Sequence, residues 1–110
     1  MYRSQNEVIR TAKEYLKLVN KVFHVKKAYL YGSYARGTQN ESSDIDIAVF
    51  SSDFRKIPRP LAMKFLTKMT MEFDTSIEPV AFTDEEEKTS LVGSLAHEVV
   101  TTGIEIEIIR

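Results

Sequence analysis

Two strand-like segments that flank a short loop bounded by glycines constrain the fold of this chain most strongly. The first runs from Val25 to Tyr31 and stops at Gly32, and the second, IDIAVF, puts alternate isoleucine and valine side chains on one face. Helical patterns precede and follow this pair of strands. The sequence therefore predicts an α/β fold of the α+β kind, in which helices pack on a small mixed β-sheet.

Two long helices are marked by their first turns. Ser4 and Glu7 form a capping box, and apolar residues at helical spacing then continue to about residue 23. Pro58 and Pro60 mark the approach to the second long helix, because proline is tolerated in a first turn.

The last third of the chain predicts a strand, a helix and a tail. The segment SIEPVAF forms the third strand, which Pro79 restricts to a sheet edge or to an irregular position because proline lacks an amide donor. A capping pattern at Thr83 begins a helix that we expect to run to about Thr101 and to stop at Gly103. The alternating IEIEII tail should then pair with the sheet or meet a partner chain.

Composition limits the chemistry of any site. The chain has 110 residues, no cysteine and two histidines, and this length predicts a single domain over residues 1–110. The lack of cysteine excludes a disulfide scaffold, a thiolate zinc site and a cysteine nucleophile. Any metal site must therefore be built mainly from carboxylates.

The distribution of charge points to the kind of ligand. Residues 1–60 hold 11 Lys and Arg against 6 Asp and Glu, whereas residues 61–110 hold 4 against 10. The overall charge of -1 disfavours a nucleic-acid-coating protein, but the basic first part fits an anionic ligand. No apolar run approaches the roughly 18 to 20 residues of a membrane span, and no secretory signal is evident, so we expect a cytoplasmic protein.

Asp44 and Asp46 are the first candidate site residues. Residues two apart in a strand point to the same face, so these carboxylates project side by side at the start of the second strand. They repel each other unless a cation lies between them, and their oxygens suit Mg²⁺ or Mn²⁺. An isolated pair of this kind is nevertheless more often a turn residue and a solvated side chain.

The loop before this pair has the residues of a phosphate site. If a helix begins at Ser33, its free amides and its positive dipole end face the loop, and the Ser33 hydroxyl adds a donor. Gly32 lets the backbone approach a ligand closely, and Arg36 either reaches the same phosphates or is solvated. Because this turn is followed by the paired carboxylates, the combination indicates a function that neither feature indicates alone.

The stretch GSYARGTQNESSDIDIAVF resembles the signature of the polymerase-beta-type nucleotidyltransferase superfamily, which has Gly-Ser, a spacer and then Asp-x-Asp. The GSxARG form and the small size most resemble the minimal nucleotidyltransferases that pair with helical HEPN-domain proteins. The resemblance implies a polymerase-beta-like fold. It also implies that Asp44 and Asp46 ligate two divalent metal ions, Mg²⁺ or alternatively Mn²⁺, and that Gly32, Ser33 and Arg36 bind the triphosphate of a nucleotide.

A third carboxylate on a neighbouring strand is also implied, to complete one metal site and to act as a base. Glu78 lies within the third strand and is favoured by its position, whereas Asp74 lies just before that strand. The family more often has aspartate at this position, and Pro79 directly follows Glu78, so the sequence leaves the catalytic competence of this acid open.

The implied function is the transfer of AMP, or another nucleoside monophosphate, from ATP or another nucleoside triphosphate to a hydroxyl group. The implied acceptor is a HEPN partner protein, with this chain as the antitoxin of a toxin-antitoxin pair. The second hypothesis keeps the fold without catalysis, as a nucleotide-binding or partner-binding subunit that neutralises the toxin by contact. We expect no membrane or nucleic-acid partner, and homo-oligomerisation stays open.

Overall fold

The computed structural model describes residues 3–89 and 91–110, in which helices alternate with the strands of one sheet. The helices are α1 (Gln5–Val22), α2 (Ser33–Arg36), α3 (Arg59–Thr70), α4 (Asp84–Thr89) and α5 (Leu95–Thr102), with a 3-10 turn at Ser52–Arg55. The strands are β1 (Val25–Tyr31), β2 (Ile45–Ser51), β3 (Ile77–Phe82) and β4 (Ile104–Glu105).

Within the described residues the strands form a four-stranded sheet in the order β3-β2-β1-β4. β1 runs antiparallel to β2 and β4, whereas β2 and β3 are parallel, so the mixed sheet expected from the sequence is confirmed. β3 lies at an edge, as Pro79 predicts. The tail pairs with the sheet through Tyr29 opposite Glu105 and Leu30 opposite Ile104.

The alternation of side chains in β2 assigns a different role to each face of the sheet. Ile45, Ile47 and Val49 are fully buried in one apolar cluster with side chains of α1 and α3. Ala48 and Phe50 point the other way, into a second cluster that includes residues of α5. Asp46 belongs to this second face by the same alternation, so it lies where the buried apolar side chains give way to polar ones.

The predicted beginnings of the two long helices are confirmed. The Ser4 hydroxyl accepts a hydrogen bond of 3.2 Å from the Glu7 amide at the start of α1. α3 begins at Arg59, with Pro60 in its first turn. These signals are local, since a cap or a first-turn proline acts on amides a few residues away.

The prediction of one helix from Thr83 to about Thr101 is wrong, because the segment forms α4 and α5 with a break between them. Gly93 lies in the break with a φ of 92°, a left-handed conformation that an α-helix cannot contain. Ser94 then begins α5, since its backbone is extended and its hydroxyl accepts a 3.1 Å hydrogen bond from the His97 amide.

The acidic side chains of α4 hold this helix against the sheet. Glu87 accepts a hydrogen bond of 3.0 Å from the Tyr29 hydroxyl and is almost completely buried. Basic side chains near the strand ends are thereby engaged within the protein. The ion pairs are Lys26 and Lys27 with Glu87, Arg55 with Asp84 and Glu85, and Arg59 with Glu86. In the described part of the chain no helix is long and apolar enough to cross a bilayer.

Candidate active site

The register of the sheet places Tyr31, Asp46 and Glu78 in one row across three strands. The Cα atom of Asp46 pairs with that of Tyr31 on β1 and with that of Glu78 on β3. Side chains of directly opposed residues in neighbouring strands point to the same face of a sheet. Two carboxylates and a phenol therefore project together on the face that α5 partly covers.

The carboxylates of the row favour the binding of a cation. Burial, together with the charges of Asp44 and Glu78, raises the pKa of Asp46 to about 6, while the charge of Arg36 opposes this rise. A carboxyl group in this position resists ionisation until a positive charge compensates its neighbours. The predicted pair Asp44 and Asp46 is thus brought together, and Glu78 joins it.

Gly32 lies directly against the Asp46 side chain in the candidate site. Its φ of 76° and ψ of -153° define a conformation that is essentially restricted to glycine. A Cβ atom at this position would overlap the Asp46 Oδ2 atom and lie 3.2 Å from its Cγ atom. Glycine therefore both permits the turn and lets the Asp46 carboxylate lie directly against the backbone.

Ser33 and Arg36 are the first and last residues of α2, which is a single turn. Ser33 is half-buried directly after the glycine turn, and Arg36 is exposed, close enough for its charge to lower the pKa of Asp46. The structure thus places both predicted nucleotide-binding side chains beside the carboxylate row.

A side-chain-mediated turn leads the spacer back to the site. The Asn40 side-chain oxygen accepts a 2.9 Å hydrogen bond from the Ser42 backbone amide. The Asn40 backbone amide donates a hydrogen bond of 2.9 Å to the Ser43 hydroxyl. Asparagine and serine stabilise such turns without helix or strand. Asp44, the next residue, therefore lies directly before the start of β2.

Asp74, the alternative third acid, has a structural role. It accepts hydrogen bonds from the Arg3 side chain and from both the amide and the hydroxyl of Ser76. Burial opposes its ionisation, but the hydrogen bonds from Arg3 and Ser76 lower the pKa of Asp74 below its usual value. The Asp74 carboxylate is therefore already bound by Arg3, near the N-terminus, whereas Glu78 lies in the row with Asp46.

Two residues near the row were not singled out from the sequence. In the sequence, Tyr31 is only the last residue of a predicted strand, and Glu98 is a residue of a predicted helix beside His97. Burial, together with the charges of Asp46, Glu78 and Glu98, raises the pKa of Tyr31 to about 12. This placement becomes visible only when β1 pairs with β2 across the segment of residues 32–44 that separates them in the sequence.

The donor atoms suit a hard divalent cation that a substrate helps to bind. In residues 3–89 and 91–110 no three His, Cys, Asp or Glu side chains are gathered closely enough to enclose a metal ion alone. Mg²⁺ is usually bound by one or two carboxylates together with substrate phosphates rather than by such a cage. Asp44, Asp46 and Glu78, beside the turn at Gly32, fit this kind of binding.

A mixed sheet with neighbouring carboxylates beside a glycine turn is the arrangement of a nucleotidyltransferase, and comparison with known proteins gives the family. The family model described as "Polymerase beta, Nucleotidyltransferase" matches residues 11–107. The chain belongs to this family, and the resemblance seen in the glycine-serine and aspartate motif is confirmed.

Three similar proteins each share most of their length with this chain. A protein of Methanocaldococcus jannaschii, named as a candidate protein adenylyltransferase, is 26% identical over 103 residues, which are 91% of this chain and 99% of that protein. The crystal structure of a candidate nucleotidyltransferase from Sulfolobus solfataricus has a TM-score of 0.68 at 20% identity, covering 92% of this chain and 80% of that one, and shows the shared fold. A crystal structure of a toxin-antitoxin with AMP-PNP has a TM-score of 0.60 at 28% identity, covering 98% and 76%.

Proposed function

We propose that this protein transfers a nucleoside monophosphate, AMP in the first instance, from a nucleoside triphosphate to a hydroxyl group of a partner protein. The observation that carries the proposal is the row formed by Asp46 and Glu78 on parallel strands, with Asp44 and the Gly32 turn beside it. Family membership supports the reaction class. The name of the Methanocaldococcus relative supports a protein as the acceptor.

Asp44, Asp46 and Glu78 would hold the divalent cations, two Mg²⁺ ions or alternatively Mn²⁺. Bound there, the cations would supply charge stabilisation to the attacking and leaving oxygens of an in-line displacement. The raised pKa of Asp46 supports this assignment, because the unmet negative charge of the row is what a cation would neutralise.

The remaining steps belong to the side chains of the chain itself. The acceptor oxygen forms a bond to the α-phosphorus, the bond from that phosphorus to the bridging oxygen breaks, and pyrophosphate leaves with the electron pair. Glu78 accepts the proton of the acceptor hydroxyl, since it is the exposed carboxylate of the row. Ser33 and Arg36 bind the triphosphate oxygens, as a hydroxyl donor and a positive charge.

The two candidate third acids give a prediction with opposite outcomes. We expect Glu78→Gln to lower the rate of transfer by roughly 10²-fold, a typical loss for a proton acceptor, with little change in stability. Asp74→Asn should leave the rate within about threefold and cost about 1 kcal/mol of stability, because it weakens a partly exposed ion pair with Arg3. Transfer kinetics and urea denaturation of both variants check this. Equal loss of activity in both variants would contradict the assignment of Glu78.

We further propose that the acceptor is a HEPN-domain toxin and that this chain acts as its antitoxin. The structural similarity to a toxin-antitoxin with AMP-PNP supports a protein partner and an adenine nucleotide.

A binding subunit without catalysis is the second candidate function. One observation favours it: Pro79 stiffens the backbone directly after Glu78. Such a subunit would neutralise the toxin by contact alone.

One experiment separates these candidates. The protein is incubated with Mg²⁺, α-labelled ATP and the purified product of the neighbouring toxin gene, and the partner is examined by gel and by intact mass. We expect label and a mass increase of one AMP on the partner, and neither in the Asp44→Asn variant. A stable complex without label would support the binding subunit instead.

A further inference from the structure

Tyr31 lies at a junction between the apolar cluster and the carboxylate row. It is the last residue of β1, directly before Gly32 and Ser33, and its Cα atom is opposite that of Asp46. Its ring packs on the cluster formed by side chains of the sheet and α5. Strand pairing and ring packing together fix where the side chain points, so its hydroxyl is held in place before any ligand arrives.

The polar end of this side chain faces the acids. The sheet register places Asp46 opposite Tyr31 and Glu78 opposite Asp46 on the same face, and a tyrosine hydroxyl is ordinarily protonated at physiological pH. A hydroxyl in that state is a hydrogen-bond donor, not a base or a nucleophile. It is also a neutral donor beside a face that otherwise carries negative charge.

The Tyr31 hydroxyl has no hydrogen-bond partner within the part of the chain that the structure describes, in contrast to two other tyrosines. The Tyr15 hydroxyl donates to the Leu66 carbonyl at 2.7 Å, and the Tyr29 hydroxyl donates to Glu87 at 3.0 Å. Partly buried tyrosine hydroxyls usually find a partner. The donor of Tyr31 is thus fixed, protonated and available next to the turn before Ser33.

We propose that the Tyr31 hydroxyl donates a hydrogen bond to an oxygen atom of the bound nucleoside triphosphate. This inference rests on the proposed function and adds a substrate-binding residue to its site. The oxygen belongs either to a phosphate group or to the ribose, because both present acceptors to a donor at this position.

Tyr31→Phe tests the inference, because it removes the hydroxyl and keeps the ring in the apolar cluster. Binding of α,β-methylene ATP, which cannot undergo nucleotidyl transfer, is measured by calorimetry with Mg²⁺ present. We expect the dissociation constant to rise by about tenfold, the usual effect of a lost hydrogen bond to a charged or strongly polar acceptor. The matched control is Tyr29→Phe, which removes a hydroxyl bound to Glu87 on the same face and should leave nucleotide affinity unchanged.

The outcomes separate this inference from the proposed function. A rise of fivefold or more in Tyr31→Phe alone supports the inference, and a smaller change overturns it while leaving the proposed function intact. If the wild-type protein does not bind the nucleotide, the proposed function fails and the inference fails with it. The 2′-deoxy and 3′-deoxy forms of α,β-methylene ATP identify the acceptor. If Tyr31→Phe no longer weakens the binding of one of these forms, the acceptor is the ribose oxygen that this form lacks. If Tyr31→Phe weakens the binding of both forms, the acceptor is a phosphate oxygen.

Discussion

Replacing Asp46 by asparagine will lower the rate of nucleotidyl transfer by about 10³-fold and at the same time stabilise the ligand-free protein above pH 6. The loss of activity follows because the variant removes the central carboxylate of the row, and such preorganised electrostatic contacts contribute roughly 10²- to 10³-fold each. The gain in stability follows because the same carboxylate is half-buried beside two other acids.

The pH dependence of this gain follows from the direction of the pKa shift. The pKa of Asp46 is raised from 3.8 to about 6, so the folded state holds its proton more tightly than the unfolded state. Its favourable contribution is therefore complete below about pH 4 and is lost as the pH rises through 6. Since the group is partly exposed, we expect the loss to reach only about 1 to 2 kcal/mol.

Urea denaturation of both proteins at several pH values checks this prediction. The stability of Asp46→Asn should match that of the wild type near pH 4 and exceed it at pH 8. Added Mg²⁺ should stabilise the wild type more than the variant. Asp84→Asn serves as the control, because Asp84 is paired with Arg55 and its loss should give no gain in stability. An Asp46→Asn variant that is less stable than the wild type at pH 8 would contradict the described electrostatics.

Replacing Gly32 by alanine will cost about 2 to 4 kcal/mol of stability and as much activity as Asp46→Asn. The backbone conformation of Gly32 is one that side chains rarely adopt, which costs about 1 to 3 kcal/mol. The added methyl group also overlaps the Asp46 carboxylate, so the row must shift.

Gly37→Ala is the matched control at the other end of α2. Gly37 also has a positive φ, 74°, but an added Cβ atom there would meet nothing within 4 Å. We expect it to cost about 1 kcal/mol through backbone strain alone and to keep most of the activity. Transfer assays and denaturation curves of the two variants make the comparison. If both alanine variants were equally active, crowding at Asp46 would play no part in the site.

The elements of the fold that depend on neighbouring residues could be predicted from the sequence. The cap at Ser4, the first-turn proline at Pro60 and the edge position of Pro79 each act through one or two nearby amides, and each is confirmed. The break at Gly93 is equally local, and a glycine followed by a capping serine would have revealed it.

The arrangement across strands could not be predicted in the same way. Nothing within β1 or β2 alone indicates that Tyr31 is opposite Asp46, because residues 32–44, with their own turn at Asn40, separate the strands. The commitment of Asp74 to Arg3 is a contact between residues 71 positions apart. Glu78 was favoured from the alternation of strand residues, but its pairing with Asp46 depends on the register of β2 with β3.

The position of the transferred label tests the central claim most directly. Parallel reactions with α-labelled and γ-labelled ATP, Mg²⁺ and the proposed toxin partner are followed for label on the partner and for released pyrophosphate. We expect label from the α position only, one pyrophosphate for each labelled partner, and loss of both signals in Asp46→Asn. Label from the γ position, or transfer that survives in Asp46→Asn, would contradict nucleotidyl transfer at this site.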